Sequence, residues 1–186
     1  VLKKSLEMIN TAIMKKLNIL LFFLFTSIYV HGQAVFDTFE TNEKVNAVVV
    51  NKKMFDLMSK IKVDANDTTA QNYLILIKSL DYLRVLTTSD LATAQLLVLT
   101  TNDYLAKNPL TELMNSVNNE KNVKIYVKRA KNIDLIAELI MLIEDQQIKN
   151  NITVMTLSGN FSLNALSTLT DRMDLPGGEQ IKSLQK

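Results

Sequence analysis

The stretch "NVKIYVKR", residues 122 to 129, alternates strictly: Val123, Ile125 and Val127 fall on one side, Lys124, Tyr126 and Lys128 on the other. A period of two with one apolar and one polar row is the signature of a strand with one wet face, and it points to an antiparallel sheet. Leu110 to Val117 supplies a hairpin partner through the polar link "NNEKN". The rest of the fold is constrained by what joins this sheet. "VNAVVVN" (45–51) is β-branched and reads as a strand, and "ITVMTLSG" (152–159) as another. "DYLRVLTTSD" (81–90) reads as a strand ending at a Ser89 or Asp90 cap. "IDLIAELIMLIED" is a continuous apolar run whose period cannot choose between helix and strand; Leu139 to Ile143 is read as a strand, with Leu135 to Ile143 left open.

Helical periods separate these strands. Met54, Leu57, Met58 and Ile61 recur at i, i+3, i+4, i+7. Tyr73, Leu76, Ile77 and Leu80 form a second stripe behind Thr68 and Gln71, read as a capping box. Leu91, Ala94, Val98, Thr101 and Leu105 carry a third helix up to Asn108-Pro109. "SLNALSTLTDRM" is a last helix capped by Ser162, with "DLPGGE" as its stop. The order is strand, two helices, strand, helix, four strands, helix. This predicts an α+β fold: a mixed or antiparallel sheet of about five to six strands with helices packed mainly on one face.

The segment "MKKLNILLFFLFTSIYVHGQ" (14–33) is of another kind. Lys15 and Lys16 precede an apolar run from Leu17 to Val30, about 14 residues long, shorter than the roughly 20 that span a bilayer. It reads as a signal-peptide helix, residues 14–32, cleaved between Gly32 and Gln33, and the product as exported, periplasmic or envelope-associated. Residues 1–13 read as an upstream extension and residues 33–186 as a single α+β domain. Membrane contact is expected only through the leader, and only if it stays uncleaved.

Composition then narrows the chemistry. The chain has no cysteine and a single histidine, His31, beside the expected cleavage point. Residues 33–186 thus lack disulfides, thiolate sites and the His- or Cys-centred catalytic arrangements. The chain holds 21 Lys and Arg against 19 Asp and Glu; setting aside Lys3, Lys4, Lys15, Lys16 and Glu7 leaves 17 against 18. No basic excess is left for a nucleic acid, which is set aside as a partner.

No catalytic, cofactor-binding or metal-binding residue is assigned, and no cofactor is expected. Carboxylate pairs such as Glu138 with Glu144, or Asp171 with Asp174, carry no distinguishing context and read as solvated or helix-end charges. "DAND" (64–67) lacks the glycine and late glutamate of a calcium loop and reads as a capped turn. Met54, Phe55 and Met58 suit a buried stripe better than an apolar ligand groove. The row Lys124, Tyr126, Lys128 and Arg129 suits a solvated sheet face better than a docking site for an acidic partner.

Several stretches together, "FDTFE", "VVVNKKMFDLMSKI", "LRVLTTSD", "NVKIYVKR" with "ELIMLIE", and "LTDRMDLPGGEQIKSLQK", resemble the domain of unknown function 4252 family of exported Bacteroidota proteins, over residues 14–186. The resemblance implies export, a single small domain and an envelope setting; it brings no catalytic residue, ligand or cofactor. The expected activity is non-catalytic: a periplasmic or envelope binding and interaction module. Its partner would be an unknown envelope protein or a small apolar ligand. The alternatives are a carboxylate-pair hydrolase and a carrier of a lipid or small apolar ligand.

Overall fold

Each main helix opens where a short polar side chain takes up a backbone N–H that the first turn leaves without a partner. Asn51 Oδ1 accepts from Met54 N at 3.1 Å, Asp67 Oδ1 from Ala70 N at 2.9 Å, Asp90 Oδ1 from Thr93 N at 3.0 Å and Ser162 Oγ from Ala165 N at 3.2 Å. The computed structural model describes residues 32–118 and 120–183, without the side chains of residues 32, 33 and 171. The upstream residues 1–13 and the expected leader, apart from Gly32, lie outside the described residues, as does the side chain of Asp171.

A 3-10 turn at Gly32–Phe36 leads into a short helix α1 (Asp37–Glu40). Then follow β1 (Asn46–Asn51), α2 (Lys52–Met58), α3 (Thr68–Ser79), β2 (Leu80–Thr88) and α4 (Leu91–Lys107). The second half is β3 (Thr111–Val117), β4 (Lys121–Arg129), β5 (Ile136–Asp145), β6 (Ile152–Phe161), α5 (Leu163–Met173) and α6 (Gly178–Ser183). The six strands form one sheet in the order β1-β2-β6-β5-β4-β3, antiparallel at every pairing. Of the two sheet types expected, the antiparallel one is present, and the expected order of strands and helices from β1 to α5 is found, with the short helices α1 before it and α6 after it not anticipated.

The sheet has two covered faces of unequal thickness. On the first, α2, α3, α5 and α6 bring Phe55, Leu76, Ile77, Leu166, Leu169 and Ile181 onto the odd-numbered row of β4 and β5, Val123 and Ile125 with Leu139 and Met141. On the second, α1 and α4 are the helices that pack among the described residues, with Phe39, Leu97 and Tyr104 against Leu86, Ile140, Leu142 and Val154. Covering on both faces explains the ambiguous run: β5 extends over ten residues, Ile136–Asp145, because a strand buried on each side needs no polar row.

Three expectations are corrected. The stripe Met54, Leu57, Met58 and Ile61 is not the buried face of α2. The helix ends at Met58, Phe55 is its one fully buried side chain, and Met54, Leu57 and Ile61 stand 45%, 65% and 62% exposed. A two-turn helix that starts straight off a strand takes its phase from that junction, and here the junction aims Phe55 at the core. The cap of α3 is Asp67 rather than Thr68 with Gln71. The buried row of α4 is Thr93, Ala94, Leu97, Thr101 and Tyr104, so Leu91 is 53% exposed and Val98 and Leu105 are half-buried.

Irregularities in register bend the sheet at the β2 and β5 starts. Gly159 sits opposite Leu80 with φ of 152°, where an added Cβ would stand 2.3 Å from the Ser79 carbonyl oxygen. "DLPGGE" does stop α5, through Asp174 in the left-handed region at φ of 49°, and it also opens α6 at Gly178.

Candidate functional site

Helix α4 is fixed to the second face at both ends. At its start, Asp90 accepts from the Thr93 amide and hydroxyl, pairs with Lys44 Nζ at 2.9 Å, and has its carboxyl held at about 2, first by the Lys44 hydrogen bond and then by Thr93. At its end, the Tyr104 hydroxyl donates to Glu138 Oε1 at 2.6 Å and its ring tilts against Phe36 at 5.7 Å. Burial, and then the Glu138 carboxylate, push the Tyr104 phenol well above its ordinary value. α4 therefore runs from the end of the sheet where β2 finishes to the opposite end where β3 begins.

Beside the first half of α4 lies an open cleft of about 500 Å³. Leu91, Gln95, Val98 and Leu99 form its helical wall, Ile152 and Glu144 its floor on the sheet. Leu96 and Leu99 of α4 are 55% and 65% exposed, so the helix carries apolar surface around the opening. Across β4 the floor continues as a half-buried polar strip: Asn122 pairs with Glu144, Lys124 with Leu142 and Tyr126 with Ile140. Burial, and then Glu112, raise the phenol of Tyr126. Dimensions of this order, mostly apolar walls and a few polar groups suit a small ligand or a protruding apolar side chain.

A second polar cluster lies under α1. Arg84 is 2% exposed in β2 and donates through Nε to Glu40 Oε1 at 2.5 Å and through Nη2 to Asp37 Oδ1 at 2.5 Å. The Tyr82 hydroxyl donates to the same Glu40 oxygen at 2.8 Å, and burial, followed by that bond, raises its phenol. The guanidinium lies 5.0 Å from the Tyr82 ring centre and 5.8 Å from that of Phe36. An arginine so enclosed fixes α1 to the sheet and does not face the cleft ligand space.

The sequence-derived candidates separate in the fold. Glu138 and Glu144 share a row on β5, but six residues of strand place them roughly 20 Å apart. Glu138 is engaged by Tyr104 and Glu144 lines the cleft, so they do not flank one substrate bond. Asp64 accepts from Asn66 N at 2.9 Å and Asp67 caps α3, so "DAND" is a capped turn. Among the described residues no group of three or more His, Cys, Asp or Glu is placed to hold a metal ion, and no helix is long and apolar enough to cross a membrane. Met54, Phe55 and Met58 form no groove, since Phe55 is sealed in the core and Met54 points away from it. Arg84 went unnoticed in "LRVL", where a charge inside an apolar strand is the available signal. Gln95, Asn122 and Ile152 carry no such mark.

A family model described as Domain of unknown function (DUF4252) matches residues 39–169, from Phe39 of α1 to Leu169 of α5. The match takes in every strand and both walls of the cleft. No curated protein and no solved structure matches the chain.

Proposed function

The chain belongs to the domain of unknown function 4252 family, and from that premise we propose that its folded body is a non-catalytic binding module of the cell envelope, using the cleft beside α4 as its binding surface. The observation that carries this reading is the half-covered second face: apolar side chains of α4 stand open next to a sheet floor that no other described helix covers. Absence of cysteine, with the one histidine in the leader, supports a role without nucleophilic or imidazole chemistry. Separation of Glu138 from Glu144 supports binding over carboxylate-pair hydrolysis. Export rests on the dibasic start and apolar run of residues 14–32. N-terminal sequencing of the secreted protein should then find Gln33 first, and finding Met14 or Val1 removes the export step.

Gln95 is exposed on the cleft wall, so Gln95→Trp fills the opening without entering the core. Wild type should retain a small molecule in native mass spectrometry, or a partner in pull-downs from envelope fractions, that the tryptophan variant loses. Equal recovery by both proteins, or no recovery by either, refutes the cleft as the binding surface.

A carrier of a lipid or small apolar ligand is the second reading, favoured by the apolar walls of the same cleft. It differs in expecting an added small mass rather than a protein partner.

A further inference from the structure

The binding reading leaves open what the cleft would take, and the polar groups at its floor narrow the choice. Glu144 is half-buried and lines the cleft, and no hydrogen bond or ion pair joins its carboxylate to another described residue. Its cross-strand partner is Asn122, whose side-chain oxygen is buried and has no hydrogen-bond partner among the described residues. Directly paired positions on one sheet face bring side chains within about 5 Å of each other at Cβ. The Asn122 oxygen is sealed beside the cleft and does not line it, so the acceptor open to a ligand is the Glu144 carboxylate, set at the foot of apolar walls. A partly desolvated carboxylate without a donor is costly, and a ligand that supplies donors and a positive charge removes that cost.

We propose that the cleft binds a single-chain amphiphile ending in a protonated primary amine, the ammonium resting against Glu144 and the chain lying along Leu91, Val98, Leu99 and Ile152. An ammonium offers three donors and a positive charge, which matches a carboxylate that no described side chain serves. A carboxylate or phosphate head would face like charge from Glu144. Lys124 stands one row further along β4 and does not line the cleft, so the charge at the floor is that of Glu144. The inference rests on the proposed binding role of this cleft and adds the chemistry of the ligand.

The test uses octylammonium chloride, octanol and sodium octanoate, each below micelle formation, titrated at neutral pH into protein labelled at Ile, Leu and Val methyl groups. Octylammonium should shift the Leu91, Val98, Leu99 and Ile152 methyl signals at the lowest concentration, octanol should need roughly tenfold more, and octanoate should bind weakest. In Glu144→Gln the advantage of the ammonium over octanol should vanish while octanol affinity is kept. The wild-type series alone decides the matter should the variant fold poorly. Equal binding of octylammonium and octanol, tighter binding of octanoate, or an unchanged preference in Glu144→Gln overturns the head-group assignment. Shifts in none of the three ligands overturn it as well. The broader binding role is judged separately by the Gln95→Trp comparison.

Discussion

Replacing Arg84 by methionine tests what fixes α1 to the sheet. The side chain is 2% exposed and bonds two carboxylates, so its removal leaves Glu40, at 24% side-chain exposure, without a counter-ion. Asp37 is 61% exposed and regains water when released. Breaking a buried ion pair on one side costs about 3–5 kcal/mol. Glu40 keeps the Tyr82 hydroxyl and part of its hydration, which places Arg84→Met at the low end, about 3 kcal/mol. For a body of this size that lowers Tm by roughly 6–12 °C. Urea unfolding followed by far-UV circular dichroism reads the loss, and hydrogen exchange should locate the earliest opening in α1. Adding Glu40→Met removes the stranded charge, and the double variant should recover half of the loss or more. A cost under about 1 kcal/mol for Arg84→Met, or full additivity in the double variant, refutes the argument that a desolvated charge pair holds α1 down.

Tyr104→Phe removes the donor that serves the buried Glu138 carboxylate; a charge-assisted bond of this kind is worth about 1.5–3 kcal/mol, and the loss should appear in the same urea titration without a change in m. Asp90 has its carboxyl lowered from 3.8 to about 2 by folding. Its contribution is complete above the unfolded value and is lost as pH falls through the folded one. Wild type should therefore lose stability between about pH 4 and pH 2 more steeply than Asp90→Asn, whose amide oxygen still caps α4; parallel acid limbs for the two proteins would count against the assignment. Gly159→Ala places a Cβ on the Ser79 carbonyl at a φ that L-residues avoid and should cost at least 1–3 kcal/mol by the same urea assay, with no loss indicating that the β2–β6 crossing yields easily.

The alternation in "NVKIYVKR" is legible because β4 is covered fully on one side and half on the other, so burial and sequence period agree. β5 hides its period because α4 covers one face of it and the larger helical layer the other. In α4 the apolar letters sit one step off the buried row, because Thr93, Thr101 and Tyr104 fill the interface through methyl and ring surface while Thr101 Oγ1 bonds back to the Leu97 carbonyl at 2.8 Å. A stripe phased on Leu91, Val98 and Leu105 therefore shares only Ala94 and Thr101 with the buried row. α2 misleads differently: its seven residues give a fine helical period, but strand β1 decides which residue turns inward. The Arg84 cluster joins residues 44 and 47 positions apart, and nothing local to "LRVL" names Glu40 or Asp37 as its partners.

The cleft follows from the number of elements on each face. Six strands at 4.8 Å spacing make a sheet about 24 Å wide. Four helices cover the first face, whereas α4 is a single helix roughly 25 Å long and about 10 Å across. Laid from the β2 end to the β3 end, with α1 beside it over β1 and β2, it cannot also shelter β3 and the upper part of β4. The strip left over holds Asn122, Lys124 and Tyr126, and in the last two of these rows β5 carries Leu142 and Ile140 instead. Sequence alone shows the polar row of β4 and the solitary Glu144, and the two become one surface only when β4 and β5 pair in register. The same register puts Glu144 beside Asn122 at the foot of the apolar wall, and of the two it is Glu144 that lines the cleft.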